Sequence, residues 1–315
     1  LAGRAPVAPL TTGAVIIALT AVSSSAPLIA FAAAPALAIA FWRNALAAGV
    51  LGPVALTRRR AEFRALTRGA ARREGWYCVL SGVALAVHFA TWMPSAQLTS
   101  VAAATGLVAT QPVWQGLIAL AQGRRLPAAV WTGIGVAVLG AVLATGADFG
   151  GSGRAVEGDL LAIAGGMAAA VYTAIGERAR TTISTTTYTT ICYGTCGLLL
   201  LVVCLVGRVP LTGFAASTWL AILGLVVGAQ LLGHSLLNYA LHRISATTIS
   251  VLILLEAPGA ALIAWAWLGQ LPRPAALPGL ALLLVGVAVV VLGGARAGRP
   301  AEPVPAPPDA GPLPS

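Results

Sequence analysis

Lysine is absent from this chain: all 19 basic residues are arginine, set against 9 acids in 315 residues. Charge of either sign is scarce at 9%. A soluble domain carries about a quarter, so this chain cannot coat a globular surface with polar groups. Cysteine is limited to Cys78, Cys192, Cys196 and Cys204, all in or beside apolar stretches. Cys192 and Cys196 share one helical face and have no zinc-ligand company, which argues against a disulfide framework or a metal module. They read as small buried hydrophobes, and no metal or cofactor is expected. Also missing are an Asp-rich metal motif, His-Glu-x-x-His, a Gly-x-Ser-x-Gly elbow and a Gly-rich phosphate loop ending in lysine. These absences argue against an enzyme and against direct ATP drive.

What is present is apolar. Hydrophobic residues make up 58% of the chain and the mean hydropathy is +0.89. Ten stretches are long enough to cross a bilayer core as helices: 12–33, 35–57, 76–96, 99–121, 128–146, 158–176, 187–207, 217–240, 245–268 and 275–294. The first has a signal-peptide look, with Ala36-Leu37-Ala38 like a cleavage site. Only Arg4 precedes it and nine more spans follow, so it reads as a retained span. The pI of about 10.7 would suggest a nucleic-acid partner in a soluble protein, but topology explains the arginines better. With the N-terminus inside, 15 arginines fall on the inner side, Arg154, Arg208 and Arg273 fall on the outer side, and Arg43 lies within a span. That asymmetry predicts both termini in the cytoplasm of a multi-pass protein of the cell (inner or plasma) membrane. No nucleic-acid partner is expected.

The chain also repeats itself. A shift of 146 positions carries Gly82, Leu85, His88, Pro112, Gly123, Ala129, Gly133 and Gly140 onto Gly228, Leu231, His234, Pro258, Gly269, Ala275, Gly279 and Gly286. An aligned histidine, drawn from only 3 in the chain, is the telling match. The predicted fold is all-α and polytopic, with ten transmembrane helices as two five-helix repeats, 12–146 and 158–294. An N-terminal segment (1–11), an outer linker (147–157) and a disordered tail (295–315) complete the chain. The tail has seven prolines from Pro300 to Pro314. Five is odd, so the second repeat enters the membrane inverted, the architecture of carriers that bind solute near the midplane.

Ionisable residues inside a bilayer are costly and therefore functional candidates. Glu256 lies roughly 11 residues into the ninth span, about 17 Å deep at 1.5 Å per residue, and Pro258 loosens the helix beside it. It can take a proton or a solute's cationic group, or be tied structurally to another helix. His88 and His234 are repeat-related and fit either a solute pathway or a packing bond used twice. Gln230 and Asn238 flank His234 at four residues either way; Trp92 stands four beyond His88. Arg43 can pair a solute carboxylate, pair Glu256, or snorkel to the outer interface. Tyr239, with Gln111, Trp114, Gln115, Tyr172, Tyr193 and Trp265, can line a cavity. The hydroxyl-rich start of span seven, Thr181 to Thr190, can bond back to its own helix. Arg60, Arg64, Arg68 and Arg72 form a stripe if helical, either a solvated topogenic loop or a surface helix on anionic membrane lipids.

Several stretches resemble the EamA-domain family of the drug/metabolite transporter superfamily. In the first half they are Ala40-Phe41-Trp42-Arg43, His88-Phe89-Ala90-Thr91-Trp92, Thr99-Ser100-Val101-Ala102-Ala103 and Pro112-Val113-Trp114. In the second they are Gly233 to Leu241, Ile244-Ser245-Ala246, Leu255-Glu256-Ala257-Pro258 and Gly269-Gln270-Leu271-Pro272. The resemblance runs from about residue 12 to 294 and implies a secondary transporter that exports amino acids, metabolites or toxic compounds from a cavity between the repeats. The family often has adjacent Glu-Pro in span nine and Gly-Glu after spans four and nine. Here Ala257 intervenes, and Arg124 and Gln270 replace the second acid. The expected function is therefore a secondary transporter, not an enzyme. It would export a small amino-acid-like or amphipathic solute by alternating access, with protons as a possible coupling ion. The alternative is an intramembrane enzyme acting on a lipid or lipid-linked substrate.

Overall fold

Backbone groups in hydrocarbon must satisfy one another within the segment, so apolar stretches of this length fold as helices. The computed structural model describes residues 9–68, 71–98, 107–145, 153–269, 274 and 277–297, and among these every regular element is helical. Seven helices are long and apolar enough to cross a membrane, and Ala128–Ala144 and Leu277–Gly293 are shorter apolar helices. The protein is an all-helical polytopic membrane protein.

In chain order, α1 (Pro9–Ser23) and α2 (Ser25–Phe31) make the first span, and α3 (Ala36–Arg58) the second. A short α4 (Arg60–Arg68) leads to α5 (Arg72–Leu98). Then come α6 (Gln111–Ala121), α7 (Ala128–Thr145), α8 (Gly153–Ala179) and α9 (Thr185–Val206). The next span joins α10 (Ala216–Leu225), a π-helix (Val226–His234) and α11 (Ser235–Ala240). Another joins α12 (Ala246–Leu252), a 3-10 turn (Ile253–Leu255) and α13 (Glu256–Leu268), before α14 (Leu277–Ala297). Residues 99–106, which open the predicted fourth span, lie outside the described residues, as do 298–315 of the tail. Residues 147–152 of the expected linker also lie outside the described residues, and α8 begins at Gly153.

Three spans are irregular, and proline accounts for two. Pro27 has no N–H for the Ser23 carbonyl, and the first span breaks at Ser24, whose hydroxyl bonds the Ala21 carbonyl at 2.7 Å. Pro258 likewise withholds a donor from Leu254, and the turn ahead of it tightens to 3-10 form. In the third, the Gln230 carbonyl accepts from the Ser235 backbone N–H five residues on and also from the Ser235 hydroxyl at 3.2 Å.

The outer surface is apolar and the interior holds the polar groups. Val206, Leu220, Leu160 and Leu198 are exposed, while Arg43, Asn44, Gln230 and Asn238 are buried. Lipid offers no hydrophobic drive between helices, so close packing of small residues holds them together. A Cβ on Gly133 would strike the Gly286 carbonyl and Val290; one on Gly140 would strike the Gly279 carbonyl and Leu283. Gly279 and Gly286 face Ala144 and Ala137 in return. Thus α7 and α14 pack antiparallel, backbone on backbone.

The expected arginine stripe is cut short. α4 stops at Arg68, Arg72 opens a separate helix, and Leu66 is buried at 6% exposure. Helix α4 is held to the protein by Glu62, whose Oε1 accepts from the Ser184 N–H at 2.6 Å. Its Oε2 accepts from the Ser184 and Thr187 hydroxyls at 2.6 and 2.7 Å. Ser184 also caps α9. Burial alone would raise the Glu62 pKa, but the hydrogen bonds from Ser184 and Thr187 outweigh it and hold the carboxyl below its ordinary value.

Candidate functional site

A cavity of about 150 Å³ opens among the helices, lined by both halves of the chain. A volume near this size admits a molecule like benzene in other proteins. Of the predicted site residues, Arg43, His88, Trp92, Gln111, Tyr172, His234, Asn238 and Glu256 stand on its wall, while Trp114, Gln115, Tyr193 and Trp265 do not. Gln230 lies behind the wall and Tyr239 is not part of it; the Tyr239 ring packs against His242 at 5.2 Å.

Arg43 projects from α3 and does not snorkel: it is 1% exposed. Its Nε donates to Gln230 Oε1 at 2.8 Å, Gln230 Nε2 donates to Asn44 Oδ1 at 3.0 Å, and Asn44 Nδ2 donates to the Ala40 carbonyl at 2.9 Å. Its guanidinium carbon sits 4.6 Å from the centre of the Phe89 ring. The expected pairing with Glu256 is not made: no carboxylate comes within 4.0 Å of Arg43 among the described residues, and its Nη2 is buried without a partner. Glu256, at the start of α13, makes no hydrogen bond to another side chain among the described residues and borders the same space. Opposite charges thus line one small cavity and stop short of each other.

The two histidines differ. His88 Nδ1 lies 2.9 Å from the Gly165 carbonyl, which can only accept, so Nδ1 carries the hydrogen. Its ring stacks on Trp92 at 5.7 Å and 8°. His234 closes the π-helix with its ring 6.1 Å from Phe89 and 6.3 Å from Tyr172. The Trp92 indole N–H is buried with no partner. Below them Asn238 Nδ2 donates to the Tyr172 hydroxyl at 2.7 Å, and Gln111 Nε2 donates to Thr173 at 3.2 Å.

One end of the bundle is clamped. Arg124 pairs with Glu177 at 3.0 Å, and Glu177 also accepts from the Ala246 N–H at 3.1 Å, tying the loop after α6, the end of α8 and the start of α12. Arg180 is buried near this end and Glu62 anchors α4 there. The sequence does not set Arg180 apart from its exposed neighbour Arg178. The Ser184 and Ser245 caps carry the one local sequence signal of this clamp, a hydroxyl three residues ahead of Thr187 and Thr248.

The fold and site define a polytopic helical membrane protein with a central cavity whose mainly apolar wall carries a few polar and ionisable groups. Residues 156–292 match the model of the EamA-like transporter family, so the second part of the chain is similar to that family. Twenty-eight solved chains match it. One protein of known crystal structure matches 91% of this chain and 98% of its own length, with a TM-score of 0.73 and 23% identity, a likeness that shows the fold alone. No curated protein matches the sequence.

Proposed function

We propose that this protein is a transporter that exports a small amino-acid-like or amphipathic solute by alternating access, through ten spans arranged as two inverted five-helix repeats. The observation that carries the reading is the cavity wall. The guanidinium of Arg43 and the carboxyl of Glu256 stand on one space drawn from both halves of the chain, and neither neutralises the other. A solute with both an anionic and a cationic end satisfies the two at once, and Trp92 offers an apolar face beside them. The inverted repeat is supported by the α7–α14 contact. Gly133 meets Gly286 and Gly140 meets Gly279, so positions 146 apart exchange partners reciprocally, as a two-fold relation requires.

The orientation places both termini in the cytoplasm of the cell membrane. Supporting it, segments assigned to the inner side meet one another: Glu62 with Ser184, Arg124 with Glu177, and Arg178 over Tyr77 at 5.2 Å. Segments assigned to the outer side meet likewise, with the Trp42 indole donating to the Leu211 carbonyl at 2.7 Å. The clamp at the inner end supports reading this structure as an outward-facing form. Glu256 and the histidines supply titratable groups for proton coupling.

Counterflow in proteoliposomes loaded with amino acids and small organic cations, with and without a pH gradient, tests the proposal. Saturable exchange that responds to the gradient and is lost in Glu256→Gln is the expected result. A folded, inserted preparation that exchanges none of the loaded solutes would sink it.

A further inference from the structure

Topogenic arginines serve by being on one side of the membrane, and they are solvated. Arg58, Arg59, Arg60, Arg64, Arg72, Arg73, Arg125, Arg178 and Arg243 are all exposed. Arg180 is only 7% exposed and, with Arg43, is one of two buried arginines among the described residues. It follows α8 directly and sits behind the cavity floor, where its Nε donates to the Asn238 carbonyl at 3.0 Å. Asn238 and its partner Tyr172 both line the cavity.

Burying a guanidinium costs several kcal/mol unless an acid repays it. No carboxylate lies within 4.0 Å of Arg180 among the described residues. Glu62 contributes to its field, but both Glu62 oxygens are already taken by Ser184 and Thr187. Burial accordingly pulls the Arg180 pKa below its ordinary value. The bond to Asn238 is a helix C-cap, since that carbonyl lies in the last turn of α11. A cap engages Nε alone and leaves the guanidinium's other four donors for something else.

We propose that Arg180 is a loading subsite on the cytoplasmic side for the anionic group of the exported solute. The inference rests on the transporter reading above and narrows its substrate class to solutes that carry a carboxylate. Two acid-free guanidiniums then mark the path, Arg180 behind the Tyr172–Asn238 floor and Arg43 within the cavity. The carboxylate pairs with the first while the inner end is open and with the second once the floor has parted and closed again. Each cation receives from the solute the partner the protein withholds, so neither site holds its cargo permanently.

The test uses membrane vesicles of both orientations, with labelled L-leucine and its uncharged-end analogue L-leucinamide as probes. Inside-out vesicles present the cytoplasmic face to the medium and right-side-out vesicles the outer face. The expected result is that wild type exchanges leucine and not leucinamide. Arg180→Gln should raise the half-saturation concentration for leucine about tenfold at the cytoplasmic face, the scale of one lost charged hydrogen bond. It should leave the outer face unchanged, and Arg180→Lys should recover part of the loss. An equal rise at both faces, or a lowered melting temperature with no difference between faces, would reduce Arg180 to its capping role and overturn the subsite. Leucinamide carried as well as leucine would overturn it too, while leaving the transporter reading standing. Failure of wild type to exchange either probe or any other amino acid would remove the transporter reading and the subsite with it.

Discussion

In the proposed two-repeat arrangement a shift of 146 positions relates the helix pair α5–α8 to the pair formed by the π-helical span and the first span, and the two pairs differ in build. Helix α5 runs unbroken from Arg72 to Leu98 and α8 from Gly153 to Ala179. In the other pair the first span breaks at Ser24 and the later one widens to a π-helix over Val226–His234. The histidines show why this matters. In the first pair His88 bonds the Gly165 carbonyl. The equivalent acceptor for His234 is the Leu19 carbonyl, but that carbonyl already accepts from the Ser23 hydroxyl at 2.7 Å. Alanine, Ala169, occupies the position equivalent to Ser23. One hydroxyl thus turns a strut into a ring with no hydrogen bond among the described residues, at the point where the helix is least regular. π-segments concentrate at functional sites, and Glu256 stands on the wall of the same cavity as His234.

The comparison can be broken at several points. The largest effect belongs to Glu256→Gln, which keeps the side chain's size and removes its charge. Transport efficiency should fall about 30- to 100-fold, the scale of a charged hydrogen bond lost in a low-dielectric site, with membrane insertion unchanged by protease protection. Next comes the histidine pair. His234→Ala should weaken solute affinity about tenfold and leave thermal stability nearly untouched. His88→Ala should cost about 1–3 kcal/mol of stability, because it removes a buried hydrogen bond and the stack on Trp92. Melting curves and half-saturation constants for the two variants decide the matter. Identical, purely destabilising losses would mean that the two halves work alike.

Much of this was legible in the sequence because hydrocarbon penalises polarity so heavily. Eight of the fourteen residues singled out there border one cavity, among them Arg43, Glu256 and both histidines, since a charge or imidazole within a span has few other places to go. Where the sequence misleads, it does so through assumed α geometry or through long-range partners. Gln230, His234 and Asn238 make a stripe at four-residue spacing only if the helix is regular; the π-turns rotate Gln230 away from the cavity toward Arg43 and Asn44. Arg43 reads as a residue able to snorkel because its acceptor lies 187 positions away. Arg180 reads as topogenic because burial behind Asn238 leaves no mark on the residues beside it.

Away from the cavity one end of the bundle is pinned by two kinds of chemistry, and acid separates them. Glu62 anchors α4 through neutral donors, whereas Glu177 pairs with Arg124. The Glu62 pKa is lowered on folding, so its contribution to stability is fully present above the ordinary glutamate range. It is lost as pH falls through the lower, folded value. The stability difference between wild type and Glu62→Gln should therefore be constant near neutrality and vanish on acidification, by no more than about 1 kcal/mol given the group's partial exposure. A difference that grew on acidification would contradict the assigned hydrogen bonds.

The smallest effect is expected from Ser23→Ala, and it is the sharpest. Removing one hydroxyl frees the Leu19 carbonyl, the acceptor that repeat symmetry assigns to His234. If asymmetry between the pairs rests on this bond, His234 gains the fixed hydrogen bond that His88 already has. The ring then becomes a strut, and solute affinity should fall only about two- to threefold, since a neutral hydrogen bond nets about 1 kcal/mol or less. The useful readout is the coupling: His234→Ala should cost less affinity in the Ser23→Ala background than in wild type, because the ring has already been drawn away from the solute. Strictly additive effects would place the origin of the asymmetry in the π-helix itself, which no side-chain change at Ser23 can undo.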